Sequence, residues 1–549
     1  MKKYSFIVSL MLPLAVIACK GEENPDDGNP DSGSNNGQNE EVKPSLVAPS
    51  NLNVSTPGGA EATITWENAS TDYDGVDIEK AVGTGKYKRL TTLSAGVFTY
   101  TDTDFTENGS YSYRLCSFKG LTYSDYASVD FTIEGIPDPV PMATISKVET
   151  APNMIVVRFS ITEDLGKTVE NGIVWSYTST SPELGKDETY TYWKKLRTGS
   201  DGVGVIFDPT GTVTLRAYAK STSGDIVGYS DPVTATPDAQ PAPYDVTYTD
   251  ITPGDFPSEI KVYNATKTMV TGRPLNIWYA IADLSTGNVV LRTLCPNGYA
   301  KTSEWPKTHT ESPYVFTNGG YFYTTSLSYV LDQGVFKAEN DHSLSRKYTY
   351  PTARGVFGVT EDAKTSVCWR YGGTVGGGPY FYDVPIHQID GATPLKPSAT
   401  YPAPAIDPGY YSAIGGGPVL VKDGKIQINF LAEDESLADA DKCYLSNFEL
   451  FYTDIFNKST RQPRTAIGRR ADGKVVLMVV DGRNSGVSEG VVLTDLARLM
   501  TGVGCVDVLN LDGGGSSTFC VGNDLQILNR PSSNNVERSV ISMVGFAKK

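Results

Sequence analysis

Two hydrophobic periods run along this chain. Between residues 46 and 134 the apolar positions come in short alternating runs separated by turn residues, as in Ala62-Thr63-Ile64-Thr65-Trp66 and the later Tyr111-Ser112-Tyr113-Arg114-Leu115. Alternation at that spacing predicts half-buried strands of an antiparallel sandwich, with Trp66 in its core. Residues 140–237 repeat the pattern, most clearly at 154–160 (MIVVRFS) and 213–219 (VTLRAYA). Pro-rich stretches at 135–141 (GIPDPVP) and 237–243 (PDAQPAP) bound the second run and read as stiff linkers, across which few contacts are expected. Residues 244–549 are mixed. Strands are predicted over 275–284 and 475–480, and one helix over 495–500 with Thr494 as its N-cap. An α+β layout fits this part better than a regular βαβ array, which needs many more helices.

The whole is thus a multidomain chain, two all-β sandwiches followed by an α+β domain. The opening Ala48-Pro49-Ser50-Asn51-Leu52, the Trp66 strand and the Tyr113 strand together resemble a fibronectin type III domain. The second sandwich resembles a fibronectin-like or Ig-like domain more weakly. Neither carries a catalytic constellation, and both read as spacers.

The amino terminus lies outside this pattern. Met1-Lys2-Lys3 precedes an apolar run at 6–17 that is too short to span a bilayer, and Val16-Ile17-Ala18-Cys19 closes it. This resembles the lipobox of bacterial lipoproteins. Residues 1–18 are then a signal peptide, Cys19 is the lipidated residue, and membrane attachment at a bacterial cell envelope is the implied location. Residues 19–45 contain almost no apolar side chain and read as a disordered tether.

Charge and composition narrow the function. The net charge is −16, which opposes binding to a nucleic-acid backbone. Three His (309, 342 and 387) form no paired metal-ligand spacing, so no zinc site and no cofactor are expected. Acidic positions such as Asp407 and Asp423 offer oxygen ligands for a divalent cation, without the spacing of an EF-hand loop. Six Cys follow Cys19, and their scattered spacing fixes no connectivity; Cys505 and Cys520 form the first pair to consider for a disulfide.

The chemistry gathers in the last part. Residues 506–519 (VDVLNLDGGGSSTF) read as a short buried strand ending at Asp512, then three glycines and three hydroxyl residues. Consecutive glycines bury no side chain and admit close approach of another group. Three other stretches share the form of glycine beside a polar residue at the end of a strand-like run: 318–322 (NGGYF), 415–420 (GGGPVL), and 461–468 (RQPRTAIG) running on to 479–483 (VVDGR). Four such loops in one domain point to one cleft. A second GGGP at 376–379 is assigned no role.

The order NGGYF, GGGPVL, RTAIG, VDGR, SEG, NLDGGGSS resembles the phosphodiester glycosidase family. The resemblance spans residues 244–549 and implies hydrolysis of the bond between a sugar and a phosphodiester. Through it, Asp512 and Asp481 are the candidate catalytic carboxylates, able to stabilise an oxocarbenium-like anomeric carbon. Arg464 and Arg483 can grip phosphate oxygens bidentately. Asn318, Gly319 and Asn510 are candidate sugar contacts, Tyr321 a stacking platform, and Gly513, Gly514 and Ser516 an anion cradle. A plain turn for Asp481 and a structural ion pair for Arg464 stay open. Ser516 lacks the elbow sequence of a serine nucleophile, and no His lies in a recognisable triad segment. A non-catalytic glycan-binding lipoprotein is the alternative.

Overall fold

The computed structural model describes residues 46–136, 140–166, 169–221, 226–340, 343–345, 349–351, 353–371, 380–384, 404–428, 441, 449 and 460–549. The lipobox with Cys19, the tether, Cys443, His342, His387 and the GGGP at 376–379 lie outside these residues. Two compact units divide the chain, residues 1–137 and 138–549. Both are mostly β.

The first unit is a sandwich. Strands Ser50–Ser55, Ala62–Glu67 and Thr99–Asp102 form one sheet, and a second is built on Gly75–Val82 and Gly109–Lys119. Alternation works as expected: Ile64, Trp66, Ile78, Tyr113 and Leu115 point inward and are all but fully buried.

In the second unit, a sandwich comes first. Asp201–Phe207, Met154–Glu163 and Met142–Ala151 face a sheet centred on Glu170–Ser176 and Val213–Lys220. The expectation of few contacts across 237–243 is corrected. Tyr192 Oη and Trp193 Nε1 donate to Asp441 at 3.2 and 3.0 Å, Asn153 Nδ2 donates to the Gln427 carbonyl at 2.7 Å, and the Ile426 N–H donates to Gln240 Oε1 at 2.9 Å. Burial pushes the Asp441 carboxyl above its ordinary value, and the Trp193 and Tyr192 donors hold it partway back. The sandwich therefore supplies partners for a carboxylate of the terminal part, and the two share one unit.

Three larger antiparallel sheets and a two-stranded one, Ser343–Ser345 with Thr349–Pro351, make up the described residues of that terminal part. The largest runs Thr249–Asp250, Ile260–Val270, Arg273–Ala282, Val475–Val480, Arg464–Arg470, Cys505–Asn510, Val419–Lys422, Lys425–Ile426. A five-stranded sheet carries Pro313–Asn318 between Met543–Lys548 and Phe519–Val521, and a six-stranded one carries Tyr410–Gly416. Val475–Val480 is apolar at every position because it is covered on both faces. Val475, Leu477 and Val479 enter the core shared with Trp369, Phe519 and Phe546, while Val476, Met478 and Val480 meet Leu496, Leu499 and Met500 of the helix. That helix spans Leu493–Gly502 and starts two residues before the position expected from sequence. Val492 stands at the N-cap without a side-chain bond, and Thr494 lies in the first turn, its buried hydroxyl without a hydrogen-bond partner among the described residues. The short helix Pro306–His309 is not apparent from sequence. Cys505 and Cys520 are both free thiols in different hydrophobic clusters, which corrects the proposed pairing.

Tyr192→Phe is expected to destabilise the 138–549 unit by about 1–3 kcal/mol, since a buried acceptor loses a donor. An unchanged melting temperature would show that the contact to Asp441 contributes nothing.

Candidate active site

Antiparallel register gathers the glycine-rich loops of the sequence at one sheet edge. Arg464 opens its strand opposite Val480, where the next strand ends and Asp481 follows. Ala466 pairs with Asn510, and Val419 pairs with Leu509. Strands leaving the sheet and strands entering it thus share an end, which places Arg464, Asp481, Asn510, Asp512 and the 417–418 segment together.

Asn318 joins the second sheet to this edge. Its Nδ2 donates to the Asp512 carbonyl at 2.7 Å, while its Oδ1 accepts from Thr465 Oγ1 at 2.8 Å and from the Thr518 N–H at 3.3 Å. The side chain is fully buried, so Asn318 holds the loop in place and does not face a ligand. Gly319 has a packing reason. A Cβ there would meet Ser542, whose carbonyl accepts the Gly319 N–H at 2.8 Å.

Tyr321 and Asn510 form the cleft's neutral wall. Tyr321 Oη donates to the Gly417 carbonyl at 2.8 Å, and Asn510 Nδ2 reaches Tyr321 Oη at 2.7 Å and Gly417 O at 2.9 Å. Tyr321 is held by its hydroxyl, and burial pushes its pKa well up. Asn510 Oδ1 is buried and has no hydrogen-bond partner among the described residues. An open acceptor of this kind costs free energy unless a ligand donor fills it. Glu449, which the sequence does not single out, supports the same wall. Its carboxyl accepts the Val419 N–H at 3.1 and 3.3 Å, and burial pushes its pKa up to about 8.

The two candidate carboxylates differ. Asp481 is 3% exposed, and its oxygens accept from Asn529 Nδ2 at 3.0 Å and from the Arg530 N–H at 3.1 and 3.0 Å. Asn529 in turn holds the Ser517 carbonyl and the Phe519 N–H. Asp481 therefore braces the segment after the glycines. Asp512 is half-buried at the cleft. Its Oδ1 accepts the Gly513 N–H at 2.8 Å. Burial pushes each carboxyl up to about 6, opposed at Asp512 by Ser516, the Gly513 N–H, Arg538 and Arg464.

Arginines explain two of the three glycines. A Cβ on Gly514 would lie 2.9 Å from Arg483 Nη2, and one on Gly515 would strike Arg538 Nη2, whereas one on Gly513 would meet the Pro463 carbonyl oxygen at 2.7 Å. Gly514 and Gly515 thus each have an arginine side chain where their own would be. Arg464 is buried and donates to the Thr460 and Val491 carbonyls at 3.0 and 3.3 Å, which makes it part of the loop's frame; burial lowers its pKa. Arg483 is exposed, donates to Gln462 Oε1 at 2.6 Å, and has a φ of 57°, a left-handed backbone that arginine seldom takes. Arg538 donates to the buried Ser516 hydroxyl at 3.4 Å. It lies in a loop with no glycine motif, and nothing in the sequence marks it. Asp407 and Asp423 sit in turns elsewhere, donated to by Gly409 and adjoining Asp507 respectively. Among the described residues no three or more His, Cys, Asp and Glu side chains cluster as a metal site.

Residues 314–547 match the model of the family described as phosphodiester glycosidase. An N-acetylglucosamine-1-phosphodiester alpha-N-acetylglucosaminidase from Bos taurus is 29% identical over 116 residues, 21% of this chain and 20% of that protein. A prophage-derived uncharacterized protein of Bacillus subtilis (strain 168) is 39% identical over 83 residues, 15% of this chain and 12% of that protein. These curated relatives are thus matched over about an eighth to a fifth of their length. Among solved structures, the zebrafish N-acetylglucosamine-1-phosphodiester alpha-N-acetylglucosaminidase catalytic domain, auto-inhibited by pro-peptide, is 20% identical, with 55% of this chain and 89% of that chain covered and a TM-score of 0.36.

Native carboxyl values near 6 at Asp512 and Asp481 compare with about 3.9 in an unfolded chain. The stability they contribute is present below about pH 4 and is lost as pH rises through 6. Asp512→Asn is therefore expected to melt at or above the native protein at pH 7, with the difference vanishing near pH 4. A variant that melts lower at pH 7 would place Asp512 among the groups stabilised as anions.

Proposed function

Starting from a chain that carries a phosphodiester glycosidase family domain at residues 314–547, we propose that it hydrolyses the bond between a sugar's anomeric carbon and a phosphodiester oxygen. The observation that carries this is the half-buried Asp512 carboxyl beside the guanidiniums packed on Gly514 and Gly515. As the C–O bond breaks, its electron pair leaves on the phosphate oxygen and positive charge builds on the anomeric carbon. Asp512, with its pKa near 6, is mostly anionic at neutral pH and faces that charge. A phosphate monoester is a good leaving group, so no strong general acid is needed; water completes the sugar hydroxyl. Arg483 holds phosphate oxygens, and Arg464 adds its charge from within the frame. Asn510 Oδ1 accepts a sugar O–H or N–H donor.

Asp512→Asn is expected to lower turnover of a sugar-1-phosphodiester by about 10²–10⁴ with the fold kept. Arg483→Ala is expected mainly to raise KM, because it grips a charge already present in the ground state, whereas Arg464→Ala also lowers the melting temperature. Release of free sugar from a panel of diesters is the assay. Full turnover by Asp512→Asn would remove it from the mechanism, and sugar binding without turnover by the native protein would favour a glycan-binding role.

The lipobox-like segment supports a further part of the proposal, attachment to a bacterial envelope through lipid on Cys19. Cys19→Ala is expected to move the protein from the membrane fraction to the soluble export fraction in its own cells. Unchanged membrane recovery would overturn lipid anchoring.

A further inference from the structure

The strand Arg464–Arg470 has two ends, and the cleft occupies one of them. Arg464 opens the strand at the cleft, and Arg470 closes it about 20 Å away at the rise of a β-strand. Beside Arg470 lies a cavity of about 400 Å³, a volume within the range of small-molecule sites. The strands Ile260–Val270 and Arg273–Ala282 wall it, together with the turns that carry Asp283 and Lys474.

One wall is aromatic. Tyr263 lines the cavity, and the buried Tyr279 stacks on its ring with centroids 4.9 Å apart and planes at 18°. Tyr248 meets Tyr279 edge-on at 4.7 Å, so the ring that faces the cavity is backed by packed aromatics. The rest of the lining is mostly polar, with Lys261, Arg470 and Lys474 as donors and Glu259 and Asp283 as acceptors. Both acceptors are fixed in advance. Glu259 accepts from Asn288 Nδ2 at 2.8 Å, Thr286 Oγ1 at 3.0 Å and Ser258 Oγ at 3.1 Å. The Asn288 bond leads in holding its carboxyl down to about 2, so it is an anion throughout the neutral range. Asp283 Oδ1 accepts the Ser285 N–H at 3.0 Å and the Ser285 hydroxyl at 2.6 Å. The cations are matched too. Lys261 lies 3.9 Å from Asp250, and Arg470 and Lys474 lie 3.2 and 3.4 Å from Asp472.

This lining sorts ligands by charge. An anion meets Glu259 and Asp283, and a cation meets Lys261, Arg470 and Lys474. A purely apolar molecule would strip water from all five without replacing its hydrogen bonds. A neutral sugar ring suits every wall. Each of its hydroxyls donates once and accepts twice, which serves ammonium and carboxylate alike, and its C–H face lies against a tyrosine ring.

We propose that the cavity bounded by Tyr263, Asp283 and Arg470 is a second carbohydrate site, which binds a neutral sugar unit and does no chemistry on it. With the sugar contacts at the cleft it gives the domain two separate holds on a long glycan, and so a gain in avidity. That gain rests on the sugar-phosphodiester reading above; the site itself does not.

The test titrates the full chain by saturation-transfer NMR with maltotriose, cellotriose and chitotriose, and with trigalacturonate as the charged counterpart. At least one neutral trisaccharide is expected to bind saturably and more tightly than trigalacturonate. Tyr263→Ala is expected to weaken that binding about tenfold or more, and Lys261→Met severalfold, with any release of sugar from a diester unchanged. Lys261→Met leaves the ring stack intact and decides the matter if Tyr263→Ala melts below the native chain. Binding of none of the three neutral sugars, tighter binding of trigalacturonate, or native affinity in either well-folded variant would overturn the site. Its fate separates from that of the hydrolase reading. Diester turnover without trisaccharide binding refutes the second site alone. Trisaccharide binding that both variants weaken, without turnover on any diester, refutes the hydrolase reading and leaves the second site standing.

Discussion

The side chain of Asn318 is the fastening on which the cleft depends. One amide ties the Asp512 carbonyl, the Thr465 hydroxyl and the Thr518 N–H, so the end of a strand in one sheet is fixed to the loop leaving a strand in another. The side chain itself is fully buried, where an unmade hydrogen bond costs about 1–3 kcal/mol. Around that fastening the rest follows: Leu511 N–H bonds the Thr465 carbonyl at 2.9 Å, Asp512 N–H the Gly319 carbonyl at 3.1 Å, and Gly514 N–H the Pro463 carbonyl at 2.9 Å. The loop that carries Asp512 is thereby held at residues 511, 512 and 514 before any ligand arrives, which is the preorganisation that electrostatic catalysis needs.

Much of this was legible in the residues. Period-two alternation located the strands around Trp66, Tyr113, Met154 and Val213, because a sandwich strand is buried on one face. The unbroken run at 475–480 marked a strand covered on both faces. The loops NGGYF, GGGPVL, RTAIG, VDGR and NLDGGGSS do meet, as four glycine-rich strand ends in one domain implied. What each residue does there was less visible. Asn318 and Asp481 are chemically suited to a ligand, yet both turn inward, and only the register and the partners 529–530 reveal this. Thr494 has the chemistry of a helix cap, but the chain enters the helix two residues earlier. Glu449 and Arg538 carry no local signal at all, since each reaches the cleft from a distant segment through tertiary packing.

The two carboxyls raised to about 6 illustrate how burial sorts similar groups. Asp481 is sealed behind Asn529 and Arg530, accepting from the Asn529 side-chain amide and the Arg530 N–H, while Asp512 keeps an open side. The same desolvation that raises both is useful only where a ligand can reach the oxygen. Exposure, and not the size of the shift, separates the brace from the carboxyl that a ligand can reach.

The arginines packed on Gly514 and Gly515 constrain how this loop can change. Adding even a methyl group at 514 or 515 displaces a guanidinium, so a substitution in the backbone run is felt first as a loss of charge. The glycines and the two arginines come from three separate stretches of sequence, yet their positions are coupled: a side chain added at 514 or 515 fits only if the facing guanidinium moves aside.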